Sequence, residues 1–164
     1  MQNRHGDSVK HLIQSKMEQK PNECDFSLTK VKLTKDGGAA ITYQVNSNKV
    51  HVECDEYIHP DLRAYFTQLR PLMAQVFALP EILNENIIVT GIGIAGKEEN
   101  KGCVIAAEYT TISGQPTKIV TPRIKFLEQY YGFEGQLQDI ANAIEHEVFE
   151  YLFNGKKAEL ENCF

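Results

Sequence analysis

The sequence predicts an α+β fold, an antiparallel sheet with helices packed on one face, laid out in the order βββα-βββα. Three observations carry this prediction. Runs in which apolar and polar residues alternate, bounded by Gly, Asn and Asp turns, come in two groups of three. Each group is followed by a segment whose apolar residues recur at helical spacing. Pro80 separates the groups, so that residues 21–80 and 81–155 read as two pseudo-equivalent halves, although no residue-level repeat is visible. A chain of 164 residues fits one domain, here 21–164, preceded by an N-terminal extension or short helix over 1–20.

The elements follow in order. Val9, Leu12, Ile13 and Met17 lie at helical spacing behind a capping Ser8, and Pro21-Asn22 ends that helix. In FSLTKVKLT, Phe26 and Leu28 share one parity and Val31 and Leu33 the other, which predicts a bulge near Thr29-Lys30. Asp36-Gly37-Gly38 is a hairpin turn, since glycine tolerates positive φ. Ala39, Ile41, Tyr43 and Val45 then alternate with polar residues, and Val50, Val52 and Cys54 do so after Asn46-Ser47-Asn48. Pro60 and Asp61 open a helix whose stripe is Leu62, Tyr65, Phe66, Leu69, Met73, Val76 and Phe77. Pro71 lies inside that stripe and predicts a kink or a split, because it removes a hydrogen bond and clashes with the preceding turn.

In the second half, residues 87–95 and 103–111 read as partner strands around the polar loop 97–102. Ser113-Gly114-Gln115-Pro116 turns the chain into a shorter strand over 118–121, and 122–133 is mixed. The last helix spans 134–153, with Leu137, Ile140, Ala141, Ile144, Val148 and Leu152 as its buried stripe and Asn154-Gly155 as its stop. Phe149 and Phe153 widen the apolar arc, which requires either deep burial or a partner chain. The latter admits a homodimer through this C-terminal helix.

Composition excludes several classes of function. A net charge of −5 is unsuited to a DNA-coating protein and too small for a DNA mimic, while leaving room for a local basic patch. No apolar run reaches membrane-spanning length, and the first twenty residues lack the apolar core of a signal peptide. A cytoplasmic protein with no membrane partner is therefore expected. Cys24, Cys54, Cys103 and Cys163 are scattered and read as free thiols.

Four strings carry candidate chemistry. GIGIAGK, from Gly91 to Lys97, fits G-x-G-x-x-G, but a phosphate loop must open a helix, and Glu98 stands where Ser or Thr would hold magnesium. Gly91 and Gly93 read instead as a closely approached strand. His51, Cys54 and His59 are zinc-capable, yet His51 and Cys54 have opposite strand parity. No metal and no other cofactor is expected. EHEVFE places His146 four residues from Glu150, a pair suited to acid–base work in a small hydrolase. Its position opposite the apolar stripe predicts a solvated helix face, and no catalytic residue is assigned. In TPRIKFLEQYYGF, Arg123 and Lys125 lie two apart before Phe126, Tyr130, Tyr131 and Phe133. Cations beside rings suit a ligand carrying both phosphate and a base. Arg63 and Arg70, seven apart on the central helix, add charge. The expected ligand-binding set is thus Arg123, Lys125, Tyr130, Tyr131, Arg63 and Arg70. The alternative is that these rings fill the space between sheet and last helix.

The strings LTKDGGAAITYQV, HPDLRAYFTQLRP, VTGIGIAGKEENKGCVIAAEYT with KIVTPRI, and EHEVFEYLFNGKKAELE together resemble the uncharacterised small accessory proteins of tailed bacteriophages and prophages, over residues 26–161. The resemblance implies a bacterial host cytoplasm and an accessory role, and transfers no catalytic residue. With it, the sequence points to a non-enzymatic binding protein that sequesters a nucleotide-like small molecule or a host protein and so blunts host defence. A single-stranded nucleic-acid-binding protein of phage replication or recombination is the alternative.

Overall fold

Alternation decides which side of each strand is buried, and turn chemistry decides which strands meet. In the computed structural model, which describes residues 20–159, β1 (Phe26–Leu33), β2 (Ala39–Val45) and β3 (Asn48–Cys54) form one antiparallel meander. A second is formed by β4 (Ile87–Ala95), β5 (Gly102–Thr110) and β6 (Pro116–Val120). The β1–β2 turn closes as its glycines predict: Gly37 has φ of 93°, and a Cβ at Gly38 would lie 2.0 Å from the Cys54 carbonyl oxygen. Thr34 donates its N–H to Gly38 O and accepts from Gly37 N. Past β6 the chain crosses β5 at Thr121, whose N–H donates to Ile105 O and whose hydroxyl accepts from Ile105 N, each at 2.9 Å. A buried side chain thus replaces a backbone carbonyl in the ladder. The short β7 (Ile124–Lys125) then pairs with the start of β5. It lies in the stretch expected to be mixed, and β6 begins at Pro116 rather than 118.

The strand order is β3-β2-β1-β4-β5-β6, with every pairing antiparallel. Among the described residues the two meanders pair only where Lys30, Val31 and Lys32 face Gly93, Ile92 and Gly91. This seam is symmetric about the Val31–Ile92 pair. A half-turn there exchanges Lys30 with Gly91 and Lys32 with Gly93, and superposes the two pairs that contain them. The symmetry extends outward. The predicted bulge falls at Thr29, and its counterpart in β4 falls at Thr90. One strand further out, the Thr42–His51 pair on one side corresponds to the Ala106–Val120 pair on the other. The two halves are pseudo-equivalent in the order of their strands and in their register.

The α-helices among the described residues all cover one face. His59 accepts from Asp61 N at 3.0 Å and caps α1 (Pro60–Gln68), with Pro60 in its first turn. Pro71 then falls in the first turn of α2 (Arg70–Val76), where a missing N–H costs nothing, so the predicted long helix is divided at Leu69. Leu62, Phe66, Leu69, Leu72 and Met73 from this pair point into the core. The last helix, α3 (Glu134–Phe153), has the predicted bounds, and its whole predicted stripe is buried. Its wide apolar arc lies against the sheet. Phe149 packs edge-on to Phe26 at 5.4 Å, and Phe153 meets Phe26 at 6.0 Å and Tyr43 at 5.8 Å. A homodimer through α3 would therefore meet the helix's polar side. Val31, Ile41, Ile87, Ile105, Leu137 and Ile144 are fully buried, each worth roughly 1.5–3 kcal/mol of transfer free energy. Among the described residues no helix is long and apolar enough to cross a membrane. The helix expected over 8–19, and Cys163, lie outside the described residues.

The expectation that EHEVFE is a solvated face is corrected at two positions. Glu147 is buried, and Lys156 reaches over it at 2.8 Å while also meeting Asp61 at 2.9 Å. Glu145 turns inward as well, accepting the Leu28 N–H at 2.9 Å on the side of β1 where β4 has diverged. The reason lies beyond the helix: the chain after α3 doubles back along 56–58, with Ala158 N donating to Tyr57 O and Lys157 bridged to Ile58. That return brings Lys156 onto Glu147, and the hydrogen bonds to Glu147 and Asp61 hold the Lys156 ammonium well above the usual lysine range. Lys156→Ala leaves the Glu147 carboxylate buried without its cation, and is expected to destabilise the fold by about 1–3 kcal/mol. Urea denaturation checks this, with Lys157→Ala, an exposed-pair control, changing stability by under about 1 kcal/mol.

Candidate functional site

The segment predicted to bind a ligand is built from the strand exit at Thr121 to the start of α3. Ile124, Phe126 and Phe133 are buried there and fasten it to the core, as the packing alternative requires. Arg123 and Lys125 share the side opposite Ile124. Arg123 directs its guanidinium back over the β4–β5 loop, where Nη2 donates to Ala95 O at 3.2 Å and to Asn100 O. This explains Gly96: its φ is 89°, and a Cβ there would meet Arg123 Nη2 at 2.2 Å. Lys125 pairs with Glu128 at 3.5 Å across an exposed turn. Arg123 is thus engaged in holding a loop although exposed, and Lys125 is half-buried and ion-paired.

The rings of this segment are displayed by a buried carboxylate. Glu134, the first residue of α3, is 1% exposed, and its Oε2 accepts from Tyr131 N at 2.9 Å and from Tyr130 N. Burial pushes its carboxyl upward. The backbone N–H groups of Tyr131, Glu134, Tyr130 and Gly132 outweigh that and hold it below the usual carboxylate range. Pinned in this way, the loop exposes Tyr130 at 82%, with Tyr131 against it at 4.9 Å and Phe133 behind Tyr131 at 5.1 Å. Arg63 is exposed on α1 and Arg70 half-buried on α2. Among the described residues neither makes a hydrogen bond or ion pair that joins it to 121–133.

The other strings resolve into separate places. His146 Nδ1 is hydrogen-bonded to Glu23 Oε1, and Nε2 lies 3.9 Å from Glu150 Oε1. The Glu23 hydrogen bond, only partly opposed by burial, raises the imidazole above its ordinary value, with the Glu23, Glu150 and Glu147 charges adding to the rise. The pair can hold a proton, and it ties the turn at Glu23–Asp25 to α3. His51 bonds Thr42 Oγ1 at 2.8 Å on the sheet's outer face, His59 caps α1, and Cys54 sits on the inner side beside Tyr151. Among the described residues no group of three His, Cys, Asp or Glu side chains could hold a metal ion. GIGIAGK is the end of β4 and its turn, not a phosphate loop. Cys103 is buried on the inner face, which pushes its thiol up to about 12.

One surface was missed. Because α1, α2 and α3 share one face, the opposite face of the sheet is bare among the described residues. Register places Lys30 and Lys32 of β1, Lys49 of β3 and Lys118 of β6 on it, against Glu53 and Glu108. Among the described residues none of these four lysines is ion-paired. The middle of this face is Gly91, Gly93, Val104 and Ala106, and it carries no Phe or Tyr. Parity marks Lys30 and Lys32 as outward in the sequence, but only the strand order shows that Gly91 and Gly93 lie beside them. Comparison with family models, with curated proteins and with solved structures finds no match to this chain.

Glu134 gives a pH-dependent test of the pinned loop. Its folded carboxyl titrates below its unfolded value, so the stability it contributes is present above the unfolded pKa and lost as pH falls through the folded one. Glu134→Gln is expected to be less stable than the wild type by about 1–3 kcal/mol at neutral pH. The gap should close on acidification, as read by thermal melts across the carboxylate range.

Proposed function

We propose that this chain is a non-enzymatic binding protein of the phage or prophage accessory kind, working in the bacterial cytoplasm and meeting its partner with the bare face of its sheet. One observation carries the reading: the described helices all cover one face, and the other presents lysines without an ion pair among the described residues around a floor of small residues, with Ile88 and Val120 at its margins. A sheet face with large apolar side chains would demand burial for its own stability. Among its described residues this one exposes Ile88 and Val120 at its margins and no larger apolar cluster, so it can stay open. The setting rests on the likeness of residues 26–161 to phage and prophage accessory proteins, where occupying a partner is a means of blunting host defence. Amine acetylation followed by mass spectrometry tests the surface. In cleared bacterial lysate, Lys30, Lys32 and Lys118 should react several-fold more slowly than in buffer, while Lys35, in the β1–β2 turn, keeps its rate. Equal rates for all four would sink the reading.

A second reading keeps the ligand at 121–133. The observation in its favour is the exposed Tyr130 ring, edge-on to Tyr131 in a loop pinned by Glu134, with Lys125 earlier in the same segment. Such a ring can stack on a nucleobase while the ammonium meets phosphate. With Arg123 engaged by the β4–β5 loop, the site has fewer cations than the sequence promised. Tyr130→Ala should then weaken binding of nucleoside triphosphates by roughly 1–3 kcal/mol in calorimetry. Unchanged or undetectable heats for both proteins would remove this reading.

A further inference from the structure

We infer that the partner of the bare sheet face is the phosphate backbone of a nucleic-acid duplex, contacted without regard to base sequence. The inference rests on the sheet-face reading and adds the chemistry of what lies there.

Charge comes first. The chain is acidic overall, at −5, yet its bare face carries Lys30, Lys32, Lys49 and Lys118 against Glu53 and Glu108. A second copy of the same face is a poor occupant, since stacking would set these lysines against their own kind. An anionic occupant is what the face complements.

Spacing comes next. Lys30 and Lys32 are two apart on β1 and both exposed, so their side chains leave the sheet about 7 Å apart. Lys118 stands three strands away across β4 and β5, a span of roughly 14 Å. Cations so distributed cannot converge on one phosphate group. They address a repeating anion laid along the sheet.

The floor between them decides what sort of polyanion fits. A Cβ placed at Gly93 would meet only the Thr29 carbonyl oxygen, at 3.7 Å, so nothing in the fold forbids a side chain there. Its absence leaves the floor low between Lys30 and Val104. Glycine in a strand interior allows another backbone to approach closely. The face also lacks the Phe and Tyr rings on which unpaired bases would stack, so single strands gain nothing from it beyond their phosphates. A duplex, with its bases already stacked and its phosphates outermost, loses nothing.

The test uses the full chain and a short mixed-sequence DNA duplex. With about three to four phosphates neutralised, affinity should fall roughly 40- to 150-fold between about 50 and about 200 mM salt. Lys30→Glu with Lys32→Glu should weaken binding at least tenfold. Lys118→Glu, on the opposite wall, provides an independent loss should the double variant fold poorly. Gly93→Val, which raises the floor, should fold normally and also bind more weakly. Two different mixed sequences should bind alike, and the matching single strand no more tightly. No binding of the duplex, or binding untouched by all three variants, overturns the inference. The acetylation footprint separates this failure from that of the underlying reading. Protection of Lys30 and Lys32 that vanishes when the lysate is treated with nuclease supports a nucleic acid. Protection that survives nuclease leaves the sheet face as the contact surface and overturns the nucleic-acid partner in favour of an acidic protein. No protection in either lysate removes both.

Discussion

The whole architecture hangs on a seam of three residue pairs. Among the described residues, Lys30, Val31 and Lys32 against Gly93, Ile92 and Gly91 are the only ladder between two meanders that otherwise pair within themselves. Backbone hydrogen bonds over so short a stretch add little net stability, of the order of 1 kcal/mol each. What holds the seam is burial: Val31 and Ile92 meet at its centre almost without exposure, and the helices lie across both halves. The side chains inside secure the strands, and that frees the positions outside the seam from any packing duty. Lysine and glycine can stand there because stability is determined on the other face.

Sheet and helix cover then follow from one another. The bulges at Thr29 and Thr90 switch the parity of both central strands, so that Phe26 and Leu28, and then Val31, all face inward despite their spacing. Without them one end of each strand would turn its apolar set to solvent. The diverging ends they create are in turn closed by α3, whose Glu145 takes the Leu28 N–H that β4 no longer reaches. The polar ties of this protein repeatedly do such local mending. Thr121 completes the ladder at Ile105, Arg123 holds the β4–β5 turn, and Glu134 gathers the amides of the loop before α3.

Much of this was legible in the residues. Alternation and turns revealed the six principal strands, Pro71 revealed the division between α1 and α2, and the FSLTKVKLT parity switch revealed the first bulge. The second bulge was hidden, because Ile87, Ile88, Val89, Ile92 and Ile94 form an apolar run in which a change of phase leaves no trace. The candidate site was read less well. Arg123 and Lys125 share a side, as strand parity requires, but parity cannot show that a guanidinium bends back to carbonyls of a loop far away in sequence. Glu147 looked solvated because helical spacing says nothing of a tail that folds back with Lys156. The basic face was invisible for a related reason: its lysines are scattered from 30 to 118 and only strand order assembles them.

The near-symmetry of the seam has a further meaning. An interface that maps onto itself under a half-turn is one that two identical subunits can share, so within one polypeptide this sheet has the layout of a symmetric dimer. Identical subunits must place the same residue at positions that the half-turn exchanges. Here they differ: lysine stands at both outward positions of β1 and glycine at both of β4. Covalent union is what permits that inequality, and with it a lopsided surface which no assembly of two equal chains could display.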